Sequence, residues 1–173
     1  QEVVNHYNEH LTGLRIGGLM MIIASAFVAP FTAVLYLQIR RLEGTDRPIA
    51  AIGQLAAGIC NMLFFTLPGV FFVIAAYRPD RQVVELTAAL NDIGWFMLMF
   101  VWTPGAMQAF LCGSAILKHG SATSNYPRWV GFFSLWMAIL MFTSSFIPFF
   151  KTGPFAWNGL FGFWLPVTVF GTW

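Results

Sequence analysis

The sequence predicts an all-α integral membrane protein, a bundle of five transmembrane helices with an amphipathic N-terminal segment. Three observations predict it. Of the 173 residues 58% are apolar and only 9% charged, against roughly 25% charged residues in soluble domains. Mean hydropathy is +0.70. The apolar residues also gather into five long runs bounded by charges or turn residues. A hydrocarbon core about 30 Å thick is crossed by about 20 apolar residues of helix. Membrane strands would instead alternate apolar and polar positions over about ten residues, and these runs are continuous.

Residues 1–14 read as an amphipathic interfacial segment, with Val3, Val4, Tyr7, Leu11 and Leu14 on one face and Glu2, His6, Glu9 and His10 on the other. Residues 15–173 then read as a single five-helix domain. The expected spans are 16–39, closed by Arg40 and Arg41; 50–76, closed by Arg78, Pro79, Asp80 and Arg81; 86–117, closed by Lys118, His119 and Gly120; 129–150; and 156–173. The first run is too long for a secretory signal and follows a polar stretch, so it is expected to remain as an anchor. The chain begins at Gln1 and stops at Trp173 without a polar tail, and reads as a piece of a longer one.

Five spans place Arg40, Arg41, Arg47, Lys118 and Arg128 on one side and Arg15, Arg78, Arg81 and Lys151 on the other. The excess of basic residues marks the first side as internal, which puts the N-terminus outside. Nine basic and seven acidic residues are too few and too scattered to attract nucleic acid. Cys60 and Cys112 both lie in apolar runs and read as small buried hydrophobes.

Pro30, Pro68, Pro104, Pro148 and Pro166 fall one in each span. A proline inside a helix frees the carbonyl four residues back, which lipid tolerates only where a neighbour satisfies it. Thr103-Pro104-Gly105 and Thr66-Leu67-Pro68-Gly69 therefore read as static kinks, with a transporter-like broken helix as the functional alternative. Gly13/Gly17, Gly53/Ala57 and Ala109/Gly113 have the four-residue spacing that lets helix backbones approach.

Asp92 is the ionisable residue set deepest in a span, roughly 9 Å below the interface at 1.5 Å per residue. It is expected to be buried against the bundle with a partner, Arg15 above all, and Glu85 lies on the same helical face. His6 and His10 stand at i and i+4 as a weak two-ligand metal pair, and no metal or other cofactor is expected. Gln54, Asn61 and Gln108 read as interhelical hydrogen-bond partners. His6, His10, Glu9, Arg15, Glu85, Asp92, Lys151, Trp157 and Asn158 fall on one predicted membrane surface. That surface is the first place to look for a polar site.

Sixteen of the thirty aromatic residues lie between Tyr126 and Trp173. Trp136, Phe142, Phe146, Phe161 and Trp164 lie deeper than interfacial anchoring requires, which marks them as a hydrophobic contact surface. No GxSxG, Walker, CxxC, HExxH or dinucleotide motif is present. The chain resembles, in general look only, small polytopic proteins of bacterial plasma membranes. The expected function is a nonenzymatic accessory or structural subunit of a larger membrane complex, with lipid and other membrane subunits as partners. The alternative is a membrane-embedded enzyme or carrier for a lipid-like molecule, its polar site formed by Asp92 and the N-terminal histidines.

Overall fold

The computed structural model describes residues 2–44, 46–77, 84–120 and 126–173, and every regular element among them is helical. In chain order these are α1 (Glu2–Glu9), α2 (Leu11–Glu43), α3 (Ile49–Tyr77), α4 (Val84–Trp95), a π-helical turn (Phe96–Phe100), α5 (Thr103–His119) and α6 (Arg128–Met141). A 3-10 helix (Phe142–Phe149), a second π-helical turn (Leu160–Trp164) and α7 (Leu165–Thr172) complete them. Four helical stretches are long and apolar enough to cross a membrane: Leu11–Glu43, Ile49–Tyr77, Val84–His119 and Arg128–Phe149. Arg78, Pro79, Asp80 and Arg81, expected to close the second span, lie outside the described residues, as do the side chains of Glu2 and Val4.

The fifth apolar run departs from expectation. It is helical only over Leu160–Thr172, shorter than the other four, and rises about 20 Å against a core of about 30 Å. Its first residues are used by a turn instead. Gly153 adopts φ 89°, which a side chain would oppose, and Pro154 follows it. The turn closes through Ala156 N–H to Gly153 O at 3.2 Å and Phe161 N–H to Pro154 O at 2.7 Å.

Only one of the helix-interior prolines breaks a long run. Pro30 and Pro68 sit within continuous α2 and α3. At Pro104 the third run divides: the π-helical turn ends at Phe100, Val101 leaves helical geometry at φ −88°, ψ 60°, and α5 starts afresh with proline in its first turn, a position where the missing N–H costs nothing.

The chain forms two compact units. The first comprises residues 1–27 and 62–101. Its core is Tyr7, Ala75 and Ala76, with Val3, Leu11, Leu14 and Leu90 packed against it. Here α2 and α3 meet backbone to backbone: a Cβ on Gly69 would stand 2.9 Å from Gly18 O, and one on Gly18 2.9 Å from Gly69 O. Gly13 and Gly17, the expected seam, have open space instead.

The second unit comprises residues 28–61 and 102–173. Small residues again set its closest approaches. A Cβ on Gly113 would lie 2.8 Å from Gly131 O, joining α5 to α6, and one on Gly53 would lie 2.7 Å from the Leu111 side chain. The turn from α2 to α3 is fastened by Glu43, whose two carboxylate oxygens accept from Ala50 N–H at 3.0 Å and Ala51 N–H at 2.8 Å. A carboxylate there satisfies two orphan donors and complements the positive end of α3.

At the far end of α6, Met141, Ser144 and Ile147 are buried at three-residue spacing, the repeat of a 3-10 helix. Two hydroxyls of this segment reach into the following chain: Thr143 Oγ1 donates to Phe161 O at 2.6 Å and Ser144 Oγ to Gly162 O at 3.4 Å. Pro166 explains why those carbonyls are available. It has no N–H to give to Gly162, its partner in α register, or to Phe161, its partner in the π register that Leu165 follows to Leu160 O. Replacing Thr143 by Val and Ser144 by Ala removes the hydroxyl donors to both carbonyls and should destabilise the fold by about 1–3 kcal/mol. Adding Pro166→Ala to that double variant restores a backbone donor and should recover part of the loss, measured by unfolding in mixed micelles.

Candidate functional site

Three places concentrate polar or aromatic chemistry. In the first unit, α1 lies with Tyr7 at 2% exposure, and the Tyr7 hydroxyl donates to Asn91 Oδ1 at 3.2 Å. Burial pushes the Tyr7 phenol up to about 12, because the phenolate would lose its hydration. Arg15, expected to pair with Asp92, is engaged otherwise: its Nε donates to Ala76 O at 3.0 Å and its Nη2 to Tyr77 O at 3.2 Å. It thereby caps the C-terminus of α3, where orphan carbonyls and the negative helix end favour a cation.

The expected burial of Asp92 is corrected. The residue is exposed, and its Oδ1 accepts from the neighbouring Asn91 Nδ2 at 3.5 Å. One residue along a helix is a rotation of about 100°, so Asn91 rather than Asp92 faces Tyr7. Glu85 is exposed too, in the first turn of α4, where a carboxylate suits the helix dipole. His6 and His10 are exposed with ring centroids 4.8 Å apart. Among the described residues no group of three or more His, Cys, Asp or Glu side chains is placed to hold a metal. Lys151, Trp157 and Asn158, expected on the same surface, belong to the other unit.

The second place is a buried amide relay in the second unit. Asn61 Nδ2 donates to Gln108 Oε1 at 2.9 Å. Gln108 Nε2 in turn lies 3.3 Å from Gln54 Oε1 and 3.4 Å from Thr32 Oγ1, and Gln54 Nε2 donates to Thr32 O at 3.3 Å. The four residues come from α2, α3 and α5, and all are buried. Gly58 is what lets them meet, because a Cβ there would collide with the Thr32 side chain and approach Gln108 Nε2 at 2.7 Å. Among the described residues no buried side-chain nitrogen or oxygen lacks a partner.

The third place is apolar. Between α5 and α6 an open groove of about 430 Å³ is lined by Trp102, Phe110, Leu135, Ala138, Ile139 and Phe142. Trp102 meets Phe142 edge-on at 5.5 Å, and the rings continue through Phe146 at 6.0 Å and Phe155 at 5.4 Å to Phe161, stacked on Phe155 at 5.0 Å. Of the expected contact residues, Phe142, Trp136 and Trp164 are 53%, 61% and 58% exposed. Phe146 is exposed as well, whereas Phe161 is half-buried under Phe155. Sequence reasoning named Phe142 but not Trp102 or Phe110, which stand beyond the aromatic-rich segment.

Two outcomes follow from this geometry. Gln108→Leu strands the Asn61 and Gln54 amides and should cost about 1–3 kcal/mol, above the average of about 0.6 kcal/mol for a hydrogen bond between membrane helices. The triple variant Gln54→Leu, Asn61→Leu, Gln108→Leu should cost less than the sum of its parts, read from unfolding in mixed micelles. Tyr7 binds its proton more tightly when docked than when free. The docking free energy is therefore fully present below pH 10 and declines as pH rises from 10 toward 12. A phenolate absorbance titration of the wild type minus Tyr7→Phe should show a step near 12, and a step near 10 would disprove the docking.

Comparison of this chain with protein-family models, with curated proteins and with solved structures returns no match.

Proposed function

We propose that this chain is a nonenzymatic packing subunit of a larger membrane complex, and that the groove between α5 and α6 receives an apolar helix of a partner. The observation that carries this reading is the contrast between interior and surface. The bundle's amides close on one another in the relay of Asn61, Gln108, Gln54 and Thr32, while the groove offers six apolar side chains, among them Trp102, Phe110 and Phe142. Trp136 and Trp164 are exposed as well. Aromatic residues in a well-packed pocket are the usual anchors of an interface, and interlocking shape drives helix association where lipid removes the hydrophobic incentive.

The same proposal includes the finer topology. The helix Leu160–Thr172 belongs to a fifth span, the N-terminus lies outside, and the protein resides in a bacterial plasma membrane with lipid around its apolar helices. A catalytic or carrier site around Asp92 has less support, since Asp92, Glu85, His6 and His10 are all exposed. A lipid tail seated in the groove is the competing occupant.

Copurification in mild detergent separates the two. Ile139→Ala with Phe142→Ala should lower partner recovery by tenfold or more while leaving the protein monodisperse, as expected of central interface residues at 1–2 kcal/mol each or above. Unchanged partner recovery, or loss of a tightly held lipid in place of a polypeptide, would overturn the reading.

A further inference from the structure

The end of the second unit formed by the α2–α3 turn and the facing ends of α5 and α6 carries a concentration of positive charge. Ile39, Ala50, Ala51, Ala115 and Ile116 pack into one cluster there, with Tyr36, Leu42, Tyr126 and Val130 against it. Two segments far apart in sequence are thereby brought to one end. Arg40, Arg41, Arg47, Lys118 and Arg128 are all exposed around it. The acidic residues nearby are Glu43 and Asp46. Both oxygens of Glu43 are engaged by the Ala50 and Ala51 N–H groups, and with exposed Asp46 the two carboxylates face five cations.

Helix electrostatics accounts for some of these cations and not for others. Arg40 and Arg41 lie in the last turn of α2 and Lys118 in the last turn of α5, where a cation complements the negative helix end. Arg47 stands two residues before the start of α3, with Pro48 between, and Arg128 is the first residue of α6. Both stand at positive helix ends, where a cation is disfavoured. The α6 N-terminus also has no side-chain cap. Glu43 already caps α3, so the excess of exposed cations together with the uncapped α6 N-terminus leaves this surface complementary to an external anion. Amphipathic rings accompany them, as at a membrane–water boundary: Trp129 is 65% exposed, and the Arg40 guanidinium lies 6.0 Å above the Tyr36 ring.

We propose that this end of the second unit binds the headgroups of acidic phospholipids, with Arg47 and Arg128 as its defining contacts. The proposal rests on the bilayer-spanning part of the proposed function and is independent of the groove. Basic side chains beside an anionic leaflet gain about fivefold in binding each, and the interaction weakens with salt. Charge complementarity selects lipid over an apolar partner at this place.

The test uses the full chain reconstituted in mixed micelles of equimolar phosphatidylglycerol and phosphatidylcholine, with retained lipid measured after gel filtration. Wild type should retain severalfold more phosphatidylglycerol than phosphatidylcholine at low salt, with the ratio falling toward one at high salt. Arg47→Gln with Arg128→Gln should remove most of the enrichment. Lys151→Gln, in the turn after the 3-10 helix, should leave it in place, and so should Phe142→Ala, which addresses the groove. Both arginines are exposed, and the single variants together with the salt series on wild type decide the matter should the double variant not fold. A wild-type ratio near one, an enrichment that survives Arg47→Gln with Arg128→Gln, or an acidic polypeptide retained through these arginines while the lipid ratio stays at one would each overturn the proposal.

Discussion

The internal satisfaction of polar groups in an apolar protein is the constraint on which the rest of this structure depends. Where lipid replaces water, a backbone carbonyl or side-chain amide without a partner costs several kcal/mol, so each departure from regular helix must be answered locally. Pro166 removes a donor, and the hydroxyls of Thr143 and Ser144 reach Phe161 O and Gly162 O, its alternative acceptors in π and α register. The α3 C-terminus exposes carbonyls, and Arg15 covers two of them. Its N-terminus exposes N–H groups, and Glu43 accepts from two. These residues act as caps, and their charge or hydroxyl is engaged by the fold rather than left for chemistry.

The same constraint explains how far the sequence could be read. The helical class follows from apolar length, a property of many residues together, and the structure has four helical stretches long and apolar enough to cross a membrane. Facing directions do not follow. A helix that is apolar all round has no stripe to orient it, and neighbouring residues differ by about 100° around the axis. Gly18 rather than Gly17 therefore makes the α2–α3 approach, and Asn91 rather than Asp92 meets Tyr7. Each of these differences is one residue in sequence and a change of environment in space. The division at Pro104 was equally hidden, since Pro68, likewise followed by glycine, remains within an unbroken helix.

Polar residues within the spans were more legible than the charged ones. Gln54, Asn61 and Gln108 are too costly to leave unpaired in an apolar run, and the structure pairs them with one another. Asp92 invited the same inference with less force, because near the end of a span a carboxylate can remain at the surface with little penalty. Depth separates the two cases: a residue deep in a run must face inward, whereas one within a turn or two of the end has a choice that composition does not decide.

The amide relay also fixes which side of α5 becomes surface. With Gln108 held inward by Asn61 and Gln54, Phe110, two residues on, lies about 200° around the helix and is directed outward, where it is found half exposed in the groove wall. The approach of Gly113 to Gly131 sets the rotation of α6 in the same way, presenting Leu135, Ala138 and Ile139 as the facing wall. Apolar packing between two helices is weakly directional and would permit several rotations of either one. Hydrogen bonds and glycine contacts admit few, so the shape of an entirely apolar groove is determined by polar and side-chain-free positions that do not line it.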